Sequence, residues 1–115
     1  MIAAAIEVHM HLGPGLLESS YEACLCRELE LRGIPYERQV PLTLSYKGLL
    51  VECGYKLDII VGGLVIVELK SVKMMEPIFE AQLLTHLRLY HRWLGLLINF
   101  DVPLLKNGIK RLVSG

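Results

Sequence analysis

The sequence predicts one α/β domain in which helices flank a mixed β-sheet. Apolar residues recur at helical spacing up to about residue 33 and then alternate, as is typical of strands. Turn signals at Lys47-Gly48 and Gly62-Gly63 separate three strand-like runs, and a helical stretch then precedes two more. A length of 115 residues suits a single domain, 1–115. The predicted order is α-α-β-β-β-α-β-β, which implies hairpins followed by a helical crossover.

Two helices are predicted at the start of the chain, over Met1–Leu12 and about Leu16–Arg32. Gly13-Pro14-Gly15 interrupts the helical pattern between them. Gly33 followed by Pro35 ends the second helix.

The remaining elements are strands with one further helix. The second strand-like run contains Cys53-Gly54, where we expect a bend. The third is apolar on both faces, as a central strand requires. The predicted strands are Val40–Tyr46, Leu49–Val61, Leu64–Val72, Leu94–Phe100 and Ile109–Val113, and the helix is Ile78–Trp93.

Charge and apolar content limit the classes of partner. The 12 Lys and Arg residues balance 12 Asp and Glu residues, which argues against tight, non-specific nucleic-acid binding by this chain alone. Hydrophobic residues make up 53% of the chain, which is high for a short protein. Some of them are expected to lie on the surface and to be covered by a second copy of the chain in a homodimer.

Cysteine spacing and hydropathy predict the compartment. Cys24, Cys26 and Cys53 lack zinc-type spacing and are expected to be free thiols. No apolar run is long enough to span a membrane, and residues 1–12 lack the features of a signal peptide. We therefore expect a cytoplasmic protein with no membrane partner.

The charged residues of the third strand are the first candidates for chemistry. Glu68 and Lys70 are two residues apart, so in a strand both point to one face. Asp58 shares that face when the hairpin pairs position 58 with 68, because directly paired residues point the same way. A two-residue Gly62-Gly63 turn would pair 58 with 67 instead. The chemical interpretation therefore requires a three-residue connection or a bulge.

Asp58, Glu68 and Lys70 together suit metal-assisted hydrolysis of phosphodiesters. Two carboxylates are hard oxygen ligands for Mg²⁺ or Mn²⁺. A metal ion would polarise the phosphate and activate a water molecule. The lysine can orient that water or offset charge in the transition state. Such spacing also occurs by chance, so the interpretation depends on the hairpin context as well as on the spacing.

The sequence also resembles a known family. Gly15-Leu16-Leu17-Glu18-Ser19-Ser20-Tyr21 is similar to the motif of the GxxExxY proteins, as are the stretches VIVELKSV, EAQLL and LGLLINF. That family is grouped with the PD-(D/E)XK nuclease superfamily. The resemblance implies a restriction-endonuclease-like fold with Asp58, Glu68 and Lys70 in the acid, acid and lysine positions.

Other site residues follow from the same resemblance. It implies that Glu18 approaches the metal directly or through water, although a first-turn acid is also favoured by the helix dipole. Gln82 resembles the glutamine after the lysine strand in the exonuclease branch; it would bond Lys70 or a carboxylate, or else face water. His86 stands where that branch often has tyrosine, so this sequence departs from the pattern of the branch at that position.

Two functions remain open at this stage. The first is a Mg²⁺- or Mn²⁺-dependent nuclease in which Asp58, Glu68 and the backbone carbonyl of Leu69 bind metal, with DNA favoured over RNA as substrate. Lys70 would position the water, while Glu18 and Gln82 would tune the site. The alternative is a catalytically silent nuclease-fold module that binds a protein or nucleic-acid partner, which the neutral charge and small size favour.

Overall fold

The computed structural model describes all residues, Met1–Gly115, as three α-helices, one short 3₁₀ helix and five strands. The observed order of helices and strands agrees with the predicted one. No helix is both long and apolar enough to cross a membrane. The elements are α1 (Ile2–Leu12), α2 (Glu18–Leu31), β1 (Tyr36–Tyr46), β2 (Leu49–Val61), β3 (Val65–Lys70), α3 (Pro77–Leu89), β4 (Leu94–Asn99), the 3₁₀ helix (Leu105–Gly108) and β5 (Ile109–Val113).

The five strands form one mixed sheet in the order β1-β2-β3-β4-β5. β3 and β4 are parallel, and every other pair is antiparallel. The parallel pair requires a crossover, which α3 supplies. The predicted mixed sheet flanked by helices is confirmed.

Each face of the sheet has its own apolar core. On one face, α1 and α2 pack with buried residues that include Ala4, Leu25 and Ile98. On the other face, α3 packs through Leu83 and Leu87. The charged residues of β3 therefore lie in a strand that is covered on both sides.

The connection between β2 and β3 has the length that the chemical interpretation requires. Val61 pairs with Val65, so three residues, Gly62-Gly63-Leu64, form the turn. The ladder continues to the Ile59–Val67 pair, which sets position 58 opposite position 68. The connection is therefore one of the two arrangements that the chemical interpretation required.

In both β1 and β2, the alternation of side chains between the two faces of the sheet is reversed at the level of Asp58. Leu57 is buried on the α3 side of the sheet, whereas Ile59 is buried on the side of α1 and α2. Residues two apart in a regular strand share a face, so β2 reverses its faces at Asp58. β1 reverses beside it at Gln39, whose φ of 51° lies in the left-handed region that few non-glycine residues adopt.

The expected bend at Cys53-Gly54 is present as a bulge. Pro41 pairs with Lys56 and Thr43 pairs with Glu52, so residues 53–55 of β2 lie opposite a single residue of β1. Gly54 has a φ of 68°, which suits its lack of a side chain. Beyond the bulge the hairpin exposes three large apolar side chains, those of Tyr46, Leu49 and Leu50. The expected self-association of the chain stays a prediction.

Two predicted boundaries in the second half of the chain were wrong by two residues or more. The third helix ends at Leu89 and not at Trp93, because His91 adopts a left-handed φ of 57°. The third strand ends at Lys70 and not at Val72. The buried side chain of Asn99 accepts the N–H of Val72 and donates to its carbonyl, which takes this segment out of the strand.

Two boundaries in the first half also differ by two residues or more. The second helix begins at Glu18 and not at Leu16, because Leu17 has the extended backbone of an N-cap residue. The first strand begins at Tyr36 and not at Val40. Its early part carries Glu37, Arg38 and Gln39, and this polar run concealed the strand in the sequence.

Tyr21 holds the loop between α1 and α2 in place. Its ring stacks on Phe100 with centroids 4.4 Å apart. Its hydroxyl donates to the carbonyl of Gly13 at 2.6 Å and accepts the N–H of Leu16 at 3.1 Å. The hydroxyl of Ser71 donates to the Leu16 carbonyl at 2.5 Å, which ties the same loop to the end of β3. The start of α2 is thereby fixed beside the sheet.

Tyr21→Phe is expected to lower the free energy of unfolding by on the order of 1–3 kcal/mol, because it keeps the stacked ring but leaves two backbone groups without their partner. Urea unfolding measures the change. Tyr46→Phe is the matched control, since Tyr46 is 60% exposed. Equal losses for the two variants would contradict this role of Tyr21.

Candidate functional site

Asp58 lies where the ladder between β2 and β3 stops. Its Oδ2 atom accepts the backbone N–H of Leu69 at 2.9 Å. The carboxylate thus occupies the place of the β2 carbonyl that a continuing ladder would supply. The half-buried side chain is held against β3 at the level of residues 68–70.

The carbonyl of Leu69 points to the same edge of β3. The Lys70 carbonyl accepts the N–H of Phe100 and therefore faces β4. Successive residues of a strand direct their backbone groups to opposite neighbours, and the N–H and C=O of one residue point the same way. Because the Leu69 N–H reaches Asp58, its carbonyl also faces the side on which Asp58 lies.

Glu68 lies in the core between the sheet and α3. Its side chain is 1% exposed, and its Oε1 atom is hydrogen-bonded to Nδ1 of His86 on α3. Its Oε2 atom is buried and has no hydrogen-bond partner. A buried carboxylate oxygen without a partner is costly, so this atom marks a place where a ligand would be favoured.

A hollow of about 420 Å³ brings Asp58, Lys70 and Glu18 together. Glu18 is the first residue of α2, and the fixed loop before it holds it at the hollow. The Lys70 ammonium lies 4.6 Å from the centre of the Phe79 ring. The complete lining is Glu18, Gln39, Gly54, Tyr55, Lys56, Asp58 and Lys70.

The carboxyl group of Asp58 is hard to ionise. Burial raises its pKa from 3.8 to about 6, against the lowering effect of the hydrogen bond from Leu69. The negative charges of Glu22, Glu68 and Glu18 raise this pKa further. The site therefore concentrates negative charge that a cation would neutralise.

Tyr55, in the bulge of β2, is affected by the same negative charges. Burial raises the pKa of its phenol above the ordinary value, and the charges of Glu68, Asp58 and Glu18 add to the shift. Its ring lies 4.2 Å from the His86 ring, centre to centre. Tyr55 thus lines the hollow and packs against His86.

Gln82 does not join the other residues that the sequence suggested. The Gln82 side chain is exposed and makes no hydrogen bond with the rest of the protein. It does not line the hollow. No group of three or more His, Cys, Asp and Glu side chains is arranged to hold a metal ion by itself. A metal at this site would need backbone or water oxygens besides the carboxylates.

Sequence reasoning missed a partly buried polar cluster beside Asp58, centred on the buried Glu22. Glu22 on α2 accepts hydrogen bonds from Arg38 at 2.9 Å and from the Gln39 amide at 2.7 Å. Glu22 follows Glu18 by four residues, so both lie on one face of α2, and this spacing is the signal that would have found it. No sequence pattern indicated Gln39, because its place depends on the reversal of β1.

Asp58→Asn is expected to flatten the pH dependence of stability in the metal-free protein. The pKa of Asp58 is higher in the folded protein than in the unfolded chain, so the folded state binds more protons between about pH 4 and about pH 6. The stabilisation from this group is present at low pH and is lost as the pH rises through that window. Asparagine keeps an acceptor oxygen for Leu69 but does not ionise.

Urea unfolding in EDTA at several pH values measures this difference. Parallel pH profiles for the wild type and Asp58→Asn would contradict the raised pKa.

Comparison with known proteins supplies the family. The model of the PD-(D/E)XK nuclease superfamily matches residues 1–112. No curated protein and no solved structure matches the chain. The five-stranded mixed sheet flanked by helices is consistent with the restriction-endonuclease-like fold. Because the family model covers nearly the whole chain, the protein belongs to the PD-(D/E)XK nuclease superfamily.

Proposed function

We propose that this protein is a divalent-metal-dependent nuclease that hydrolyses phosphodiester bonds of nucleic acid, with DNA favoured over RNA. One observation carries the proposal. The Asp58 carboxylate, the unpartnered Oε2 atom of Glu68 and the Lys70 ammonium belong to neighbouring positions of β2 and β3 in a superfamily of nucleases. The resemblance to GxxExxY proteins is consistent with this activity, and we propose membership of that group.

The residues present fit a hard divalent cation such as Mg²⁺ or Mn²⁺. Such ions prefer carboxylate and carbonyl oxygens. Asp58 and Glu68 supply the carboxylates, and the Leu69 carbonyl faces the same edge of β3. The raised pKa of Asp58 reflects burial and uncompensated negative charge, both of which a cation would offset. Bound there, the ion would polarise the scissile phosphate and lower the pKa of a water molecule.

Lys70 and Glu18 act on the substrate side of this arrangement. Lys70 lines the hollow beside Asp58, where an ammonium group can orient the attacking water and offset charge that develops on the phosphate. Glu18 is exposed at the rim of the hollow and can accept a hydrogen bond from water. Gln82 is assigned no contact with the reacting atoms, and any role would require substrate that reaches α3.

Mn²⁺ is expected to raise the melting temperature of the wild-type protein, and Asp58→Asn or Glu68→Gln should abolish the shift. At a metal concentration about 100 times Kd, mass action adds about 2.7 kcal/mol to the free energy of unfolding. Both variants remove a charge without removing the oxygen that accepts from Leu69 or His86. Each should therefore be at least as stable as the wild type in EDTA. Thermal melting with and without Mn²⁺ measures both effects.

Glu37→Gln is the control for loss of a carboxylate, because Glu37 is exposed on β1 and outside the hollow. This variant should keep the full shift. If the wild type shows neither a shift nor cleavage of any labelled single- or double-stranded substrate, the nuclease proposal is wrong.

Lys70→Met separates metal binding from catalysis. Methionine keeps an unbranched side chain against the Phe79 ring and removes the positive charge. We expect Mn²⁺ binding that is equal to or tighter than that of the wild type, and cleavage that is roughly 10²–10³-fold slower, the usual cost of removing one stabilising donor. Calorimetry and single-turnover cleavage measure the two quantities. Loss of Mn²⁺ binding, or an unchanged cleavage rate, would contradict this role of Lys70.

A further inference from the structure

We propose that His86 is a positioning residue, which fixes one oxygen of Glu68 so that the other is directed to the metal. This inference rests on the proposed metal site and assigns it a residue from α3. His86 contacts no atom assigned to the substrate, so its effect passes through Glu68. Its Nδ1 atom bonds Oε1 of Glu68, and Oε2 is the oxygen left without a partner.

The imidazole is held by the fold. His86 is 8% exposed on the inner face of α3, between the buried residues Leu83 and Leu87. The Tyr55 ring packs against it from the bulge in β2. A ring confined by a helix and an aromatic neighbour has little freedom to turn, so the bond to Oε1 sets the orientation of the carboxylate.

The half-satisfied state of Glu68 argues against a purely stabilising role for the pair. A buried ion pair stabilises a fold when hydrogen bonds satisfy the remaining polar atoms of both partners. Here Oε2 is buried with no partner, which costs free energy in the metal-free protein. Carboxylates that bind metals are commonly hydrogen-bonded through their other oxygen, and loss of such a support typically weakens metal binding by about 10–100-fold.

Three substitutions at position 86 separate the effect of the hydrogen-bond donor at Nδ1 from the effect of the imidazole ring as a packing group. In asparagine the amide nitrogen is attached to Cγ, as Nδ1 is in histidine, so His86→Asn keeps a donor near the same place. His86→Gln moves the donor one bond further out, and His86→Leu fills the space without a donor. His91→Asn is the control for loss of an imidazole, because His91 is exposed and asparagine tolerates its left-handed backbone.

Isothermal titration with Mn²⁺ is the measurement, and it requires no substrate. We expect His86→Leu and His86→Gln to weaken Mn²⁺ binding by roughly 10–100-fold. His86→Asn should stay within a few-fold of the wild type, and His91→Asn should be unchanged. If His86→Leu binds Mn²⁺ as the wild type does, the positioning role is overturned while the nuclease proposal stands. If the wild type itself binds no Mn²⁺, both are overturned.

A second measurement does not depend on folding of a variant. Long-range ¹H–¹⁵N spectra of the wild-type protein assign the imidazole proton to one nitrogen. The proposal requires a proton on Nδ1, donated to the Glu68 carboxylate, and a change in that signal when Mg²⁺ is added. A proton on Nε2 alone would make Nδ1 an acceptor, and His86 would then not be the donor that orients Glu68.

Discussion

The hydrogen bond from the Leu69 N–H to the Asp58 carboxylate is the interaction on which the candidate site depends. It ends the ladder between β2 and β3 by supplying a side-chain oxygen in place of a backbone carbonyl. Beyond this bond the two strands pair no further, and the space between them becomes the hollow lined by Asp58 and Lys70. The carbonyl of Leu69 faces the same side of β3, on which Asp58 lies. The Asp58 side chain thus ends the pairing of β2 with β3 and helps to form the candidate site.

Each face of the sheet contributes to this point from a different helix. α3 brings His86 to the buried Glu68, while α2 brings Glu18 to the rim of the hollow. The position of α2 depends on Tyr21, whose hydroxyl holds the preceding loop by two hydrogen bonds. In the GxxExxY-like segment, Tyr21 therefore has a structural role, whereas Glu18 lies at the rim of the proposed metal site.

Negative charge is the common property of the site in the absence of metal. Glu22 accepts hydrogen bonds from Arg38 and Gln39, whereas the unbonded oxygen of Glu68 has no such partner. Asp58 responds to burial and to these charges with a raised pKa. Such an arrangement stabilises the folded chain poorly by itself, and this is the physical reason to assign it a binding function.

The sequence by itself determined the order of helices and strands and the presence of a central apolar strand with Glu68 and Lys70 on one face. It also indicated that Asp58 would lie opposite Glu68 only if a three-residue turn or a bulge preceded that strand. These follow from local properties, namely side-chain periodicity, glycine turns and the parity of a strand. The tertiary structure alone decided that β1 and β2 reverse their faces at Gln39 and Asp58, that His86 reaches Glu68, and that Gln82 stays outside. Those outcomes depend on packing between segments far apart in the chain, and the reversal of β1 requires a left-handed backbone at Gln39 that side-chain periodicity does not indicate.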